Sequence, residues 1–313
     1  MTRSFRFTIA ADEARRRLDE FLASRFGALS RMKIASLIEK GWCRVNLEKK
    51  LHGYRLVEGD LVEIEIEPDS ETAMLAEPLP LEIVHEDDCI VIVVKAAGVL
   101  VHPTMNVRRG TLANALAYHL NRDFYESSPA AAHGQEHTLA RPGLVHRLDR
   151  ATSGLMVVAK TQRALSVLSR HFHRRMVKKG YLAVVTGAVP ESEGAIDAPL
   201  GRNPDLRPQW GVMEMGKPSE TRYRRLERRG EPSGAEATLL ELEPVTGRTN
   251  QLRIHCAHAG FPILGDDLYG GEPAARLCLH ASRLSLNHPA TGERLEFFSP
   301  LPGDIQTLFD SFL

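Results

Sequence analysis

The chain has 313 residues, 43% of them hydrophobic and 26% charged, with Lys/Arg and Asp/Glu balanced at 40 each. This length supports a sizeable core and two domains. No apolar run approaches membrane-spanning length, Met1–Arg6 lacks the hydrophobic segment of a secretory leader, and Cys43, Cys89, Cys256 and Cys278 form neither a CxxC pair nor a zinc spacing. The expectation is a reduced, cytoplasmic protein away from membranes. Zero net charge argues against an indiscriminate nucleic-acid binder. The charge is unevenly spread, however: 11 Lys/Arg face 4 Asp/Glu between Arg15 and Arg55, and 7 Lys/Arg stand without any acid between Lys160 and Gly180. Local field, not net charge, is what a phosphate backbone feels.

In chain order, residues 1–14 are expected to form a leading strand or arm. Leu18, Phe21, Leu22 and Phe26 at helical spacing predict a helix over 14–26. Ser30 is placed to cap a second helix over 31–40, which Gly41 ends. Short strands follow at 42–46 and 61–66, the latter alternating strictly through Val62, Ile64 and Ile66. Two short helices, a glycine turn and a small hairpin with a basic face resemble the S4 RNA-binding module. The resemblance rests on Arg17-Leu18-Asp19, Ser30-Arg31, Ile38, Gly41, Val45-Asn46 and Gly59-Asp60-Leu61-Val62. It implies an RNA face through Arg31, Lys33 and Arg44. A small helical domain with a solvated basic surface is the alternative.

Prolines at 68, 78 and 80, with Ser70 and Thr72 and no apolar period, predict a linker. The expected division is a domain over 1–70, a linker over 71–80 and a second domain over 81–313. The second domain opens with strands at 81–84 and 89–94 across the acidic turn Glu86-Asp87-Asp88, then a helix over 111–120. Residues 121–141, poor in large apolar side chains, are expected to form a mobile surface loop. His102, His119, His133, His137 and His146 match no zinc spacing, and no metal is expected.

The most distinctive stretch is Val145-His146-Arg147-Leu148-Asp149-Arg150-Ala151-Thr152-Ser153-Gly154-Leu155, running into an apolar strand through Ala159. Local physics would leave Asp149 as a solvated ion pair with Arg147 and Arg150, worth little. The stretch resembles, however, the signature of the RluA-type pseudouridine synthases. Other motifs resemble the same family: Lys179-Gly180-Tyr181-Leu182-Ala183, Pro199-Leu200-Gly201-Arg202, Gly247-Arg248-Thr249-Asn250-Gln251-Leu252-Arg253-Ile254-His255, Gly260-Phe261-Pro262-Ile263-Leu264-Gly265-Asp266 through Tyr269-Gly270, and Leu279-His280-Ala281. Two positions depart from the pattern: Ala96 stands where the family has Pro, and Asn250 where it has His. Around these motifs a basic helix is expected over 162–176, strands at 177–187, 220–226 and 235–243, irregular chain over 188–217, and a closing helix over 304–313.

The resemblance implies an α+β fold: a catalytic domain on a mixed, largely antiparallel central sheet, with a small N-terminal S4 domain. It implies that Asp149 is catalytic, that Tyr181 stacks on or helps deprotonate the target base, and that Arg253 pairs with Asp149. Arg147 would fill the space left by a flipped base, and Arg248 would join the RNA contacts. Asp149 could attack the ribose or remove its 2′ proton. The implied reaction cuts uracil from its ribose, rotates it and rejoins it through a ring carbon, with no cofactor. The expected partner is RNA, large-subunit ribosomal RNA foremost, and the expected state a monomer. Transfer RNA is an alternative substrate, and a non-catalytic ribosome-assembly factor on the same fold an alternative class.

Overall fold

Strict alternation in Leu61–Ile66 puts Val62, Ile64 and Ile66 on one side of a strand, and the N-terminal core assembles against that side. The structure, a computed structural model, describes residues 3–26, 29, 31–66, 75–104, 106–127, 141–203, 205, 209–230 and 235–312. The chain clusters into two units, one of residues 1–79 and 103–142, the other of residues 80–102 and 143–313. The excursion 103–142 thus groups with the first unit, which a single boundary at 71–80 does not include. Residues 67–74, most of the expected linker, lie outside the described residues.

In the first unit, β1 (Arg3–Thr8), β2 (Cys43–Val45) and β3 (Leu61–Ile66) form an antiparallel sheet in the order β1-β3-β2. Helices α1 (Leu18–Arg25) and α2 (Arg31–Glu39) pack Phe21, Leu22, Ile34 and Ile38 into one core with Val62 and Ile64. Helix α1 starts at Leu18, later than its periodicity suggests. Arg15 takes a left-handed φ of 67°, and the N–H groups of Arg15 and Leu18 are donated to the carbonyls of Leu56 and Tyr54 at 2.7 and 2.8 Å. Gly41, at φ +80°, follows α2 as expected; Ser30 lies outside the described residues. The unit also holds α3 (Leu112–His119), capped by Thr111, and α4 (Arg122–Ser127). The loop expected over 121–141 therefore begins as helix; 128–140 lie outside the described residues.

The second unit is built on a 10-stranded sheet. Its strands are β4 (Glu82–Glu86), β5 (Ile90–Lys95), β6 (Gly143–Leu144), β7 (Ser153–Ala159), β8 (Lys178–Thr186), β9 (Glu193–Asp197), β12 (Glu220–Arg229), β13 (Ala237–Pro244), β14 (Leu279–Asn287) and β15 (Arg294–Phe298); β10 (Leu200–Arg202) and β11 (Trp210–Val212) form a separate hairpin. The main path runs β4-β5-β7-β14-β8-β13-β12-β9, with β6 on β7 and β15 on β14. All pairs are antiparallel except β7 with β14. Every residue of β7 is buried, as its unbroken apolar run requires. Helix α5 (Gln162–His173) sets Leu168 into a core with Ile90, Ile92, Leu155, Val157, Leu284 and Leu286. Helices α6 (Gln251–His258) and α7 (Gly303–Asp310) complete the unit. The stretch 188–217, expected to be irregular, contains β9, β10 and β11. The pairing of β9 is nonlocal: it is a strand because β12, over twenty residues on, supplies its hydrogen bonds, whereas β10 and β11 pair with each other.

The parallel joint between β7 and β14 is unusually close at Gly154. Its φ is +121°, and a Cβ built there would lie 2.4 Å from the Ala281 carbonyl oxygen. Gly154→Ala is therefore expected to lower unfolding free energy by about 2–3 kcal/mol through backbone strain and overpacking, measured by urea denaturation. An unchanged midpoint would show that the joint yields freely.

Candidate active site

Beside this joint the chain makes the loop that carries Asp149. β6 delivers Leu144 alongside Val158 and then leaves the ladder. The ring of His146 takes over, its Nε2 accepting the Val157 N–H at 3.0 Å while the ring stacks on Phe172 at 4.7 Å. Burial, and then the charge of Lys179, pushes His146 down to about 3. The ring stays neutral at physiological pH and acts as a strut, not a proton carrier.

The far end of the loop is held by Lys95, only 1% exposed. Its Nζ donates to the carbonyls of Ala96, Val99 and Arg150 at 2.8, 2.9 and 3.2 Å. Burial pushes Lys95 down to about 8, opposed by the charge of Asp149. Arg150 turns toward Gly98, donating from Nε to its carbonyl at 2.9 Å, so it does not bracket Asp149. The loop that holds Ala96 in place of the family's Pro is fixed by this ammonium.

Asp149 lines a cleft of about 770 Å³ together with Arg147, Tyr181, Arg248 and Arg253, a size suited to a nucleotide-sized ligand. Its carboxylate makes no hydrogen bond or ion pair among the described residues. Burial raises its pKa above the ordinary carboxylate value, against the pull of Arg253, Arg147 and Lys95 and with a contribution from Asp266. Tyr181, on β8 and 8% exposed, is raised well above the usual phenol value by burial and by the charge of Asp149. Its hydroxyl is therefore held protonated beside the carboxylate.

Arg253 does not pair with Asp149. Its Nε and Nη2 form a bidentate bridge to Asp266 Oδ2 and Oδ1 at 2.7 and 2.5 Å, and its guanidinium lies 5.2 Å from the centroid of Tyr269. Asp266 is fully buried and also accepts the N–H groups of Leu268 and Tyr269 at 3.1 and 3.2 Å. It is the better-prepared partner, and Arg253 reaches Asp149 only through its field. Asn250, where the family has His, donates from Nδ2 to the Tyr269 hydroxyl at 3.0 Å, and that hydroxyl donates to the Trp210 carbonyl at 3.2 Å. The expected site thus gathers Asp149, Tyr181, Arg253, Arg147 and Arg248 in one unit, while Lys95, Asp266 and Tyr269 are supports that motif reading left without a role. Lys33, on α2, and the exposed Arg44, on β2, belong to the first unit; Arg31 heads α2.

The loop before α6 is shaped by Gln251. Its Oε1 accepts from the Arg248 N–H and the Thr246 hydroxyl at 3.0 and 2.6 Å, and its Nε2 donates to the Glu220 carbonyl at 2.9 Å. Among the described residues, one group of metal-type donors occurs: Asp87, Cys89 and His288. Asp87 already caps the β4–β5 turn, accepting from the N–H groups of Cys89 and Ile90 at 2.7 and 2.9 Å. His288 Nδ1 accepts the Thr291 N–H at 3.1 Å, which leaves the ring proton on Nε2, facing Asp87. Asp87 and the Nδ1 of His288 are thus committed to turn hydrogen bonds.

The family profile described as RNA pseudouridylate synthase matches residues 89–258. A ribosomal large subunit pseudouridine synthase D of Pasteurella multocida is 38% identical over 94% of this chain and 90% of its own length. An uncharacterized RNA pseudouridine synthase of Chloroflexus aurantiacus is 40% identical over 93% of this chain and 88% of its own. Among solved structures, human RNA pseudouridylate synthase domain containing 1 superposes with a TM-score of 0.56 at 27% identity, covering 76% of this chain and 96% of that one. With the profile matched over residues 89–258 and relatives aligned over more than nine-tenths of its length, this chain belongs to the RNA pseudouridylate synthase family.

Proposed function

We propose that this protein isomerises uridine to pseudouridine in large-subunit ribosomal RNA, as a cytoplasmic monomer without metal or cofactor. The observation that carries the reading is Asp149. A half-buried carboxylate, raised by burial and free of hydrogen-bond donors, faces a nucleotide-sized cleft beside a protonated tyrosine. Buried carboxylates in structural roles look like Asp266, saturated with donors. Asp149 instead keeps its lone pairs for a substrate. In this reading Asp149 acts at the ribose of a flipped-out uridine, whose unstacking costs roughly a few kcal/mol. Tyr181 supports the base with its ring and hydroxyl, Arg253 holds the charge of Asp149, and exposed Arg147 occupies the stack. The ribosomal substrate rests on the names of the relatives at 36–39% identity.

The N-terminal module supplies phosphate contacts through Lys33, Arg44 and Arg31 in this reading, in the manner of an S4 domain. The test is tritium release from ribosomal RNA labelled at the uracil carbon that becomes the glycosidic carbon. Large-subunit RNA from a strain lacking the gene is expected to release stoichiometric tritium, and its transfer RNA none; the reverse would move the substrate to transfer RNA. A Lys33→Gln/Arg44→Gln double variant is expected to bind that RNA about tenfold more weakly, with a shallower salt dependence. Unchanged binding and slope would remove the module from RNA recognition.

A further inference from the structure

The cleft carries a second feature that the chemistry at Asp149 does not use. Lys179 lies two residues before Tyr181 on β8, so both side chains leave the same face of the strand, about 7 Å apart along it. Both line the cleft. The Lys179 ammonium sits against the turn of the Gly-Arg-Thr motif: a Cβ built on Gly247 would lie 3.6 Å from Nζ. The ammonium makes no ion pair among the described residues and is half-buried. Burial lowers its pKa, with no carboxylate offsetting that cost. Its charge is also not committed to Asp149, whose neighbours in the field are Arg253, Arg147 and Lys95.

Next to Gly247, Arg248 shows the same incompleteness. Its Nε is buried without a hydrogen-bond partner. Among the described residues its Nη2 donates only to the Pro218 carbonyl, at 3.5 Å. Two cations on separate elements, one on β8 and one on the loop before α6, therefore flank a glycine at the wall of the cleft, each with unspent donors. Arg248 Nε is a buried donor left unpaired, and a chain that keeps such a donor next to an ammonium without an ion pair, both at the wall of its active site, holds the two for a ligand. The ligand that suits a lysine ammonium and an arginine fork together is a phosphate.

We infer that Lys179 and Arg248 form a seat for one phosphodiester of the RNA, the one flanking the uridine whose base meets Tyr181. The inference rests on the proposed reaction for the identity of the strand, and it adds a residue, Lys179, and a register to that reading. With one phosphate gripped a nucleotide step from Tyr181, the flipped ribose is drawn toward Asp149. The seat thus holds the flipped state, and the chemistry is left to the carboxylate.

The test compares the full-length protein with Lys179→Gln, Lys179→Arg and Arg248→Gln on a large-subunit ribosomal RNA transcript, by filter binding over a KCl series and by single-turnover tritium release. Lys179→Gln and Arg248→Gln are each expected to weaken binding about tenfold near 0.1 M KCl and to reduce the slope of log affinity against log salt by roughly 0.7–1. Lys179→Arg keeps affinity within about twofold, because charge rather than shape is at stake. At saturating RNA, tritium release by Lys179→Gln falls by no more than its affinity does, about tenfold, because the seat holds the flipped state as well as the strand. Unchanged salt slopes in both glutamine variants, or a loss confined to the saturating rate, overturn the seat. If the wild-type protein binds the transcript and releases no tritium, the proposed reaction on that RNA fails, while the slopes still decide the seat. Should Lys179→Gln lose its fold, Arg248→Gln on its surface loop decides it.

Discussion

Asp149→Asn is expected to abolish tritium release, by at least about ten-thousandfold in the single-turnover rate, while RNA affinity stays within about threefold. The substitution preserves shape and removes the charge that the proposed chemistry requires. It also breaks no hydrogen bond, because the Asp149 carboxylate makes none among the described residues. Burial raises the pKa of Asp149 in the folded state, and the sign of the stability effect follows. Between the unfolded value near 3.9 and the raised folded value, the folded protein binds the extra proton, so stability is lost as pH rises through that window. The wild-type protein thus carries an uncompensated buried charge at pH 7, and Asp149→Asn is expected to melt at a higher temperature there. The two curves converge below about pH 4, where the carboxylate is protonated in both states. Equal melting temperatures at pH 7 would mean that burial costs the Asp149 carboxylate nothing, and residual activity within tenfold of wild type that it is not the catalytic group. The same raised value places the acid limb of wild-type activity above the ordinary carboxylate range.

The sequence carried the site's membership further than its wiring. Asp149, Tyr181 and Arg253 stand in separate motifs, and the sheet brings them to one cleft because β7, β8 and the turn into α6 converge there. What the motifs do not contain is the choice between two carboxylates for one guanidinium. Asp149 and Asp266 are both within the field of Arg253; Asp266 wins because Leu268 and Tyr269 donate to the same carboxylate from its own turn. That competition is decided by angles a few residues wide, below what spacing in a sequence resolves. The role of Lys95 was hidden for a similar reason: its three acceptors are backbone carbonyls, one of them fifty-five residues away, and a backbone acceptor leaves no mark in the residue string. At the level of fold, locally encoded elements were legible and relational ones were not. The alternation of Leu61–Ile66 and the apolar run of β7 declare themselves, whereas β9 exists only by pairing with the distant β12. Arg15 at a left-handed φ shows the converse, a helical pattern overridden by nonlocal hydrogen bonds.

The Arg253–Asp266 bridge yields the second large effect, and its two halves should move the enzyme in opposite directions. Arg253 lowers the pKa of Asp149 and Asp266 raises it. Arg253→Met removes a cation from the field of Asp149, so the carboxylate titrates at higher pH and the acid limb of kcat/KM moves up. Asp266→Asn removes an anion and leaves the cation unopposed, so the limb moves down. Both variants break a bridge whose carboxylate is fully buried and whose guanidinium is 6% exposed, and each is expected to cost about 3–5 kcal/mol of stability. Both should also lose about a hundredfold in kcat at the optimum, because the charge that orients Asp149 is either absent or free to turn. A purely structural bridge would give the stability losses without opposed limbs. Had Arg253 paired directly with Asp149, Asp266→Asn would leave the limb in place. pH–rate profiles of the two variants, recorded at a temperature where both remain folded by circular dichroism, separate these cases. Limbs that move in the same direction would overturn the arrangement in which Asp266 holds Arg253 and Arg253 acts on Asp149 through space.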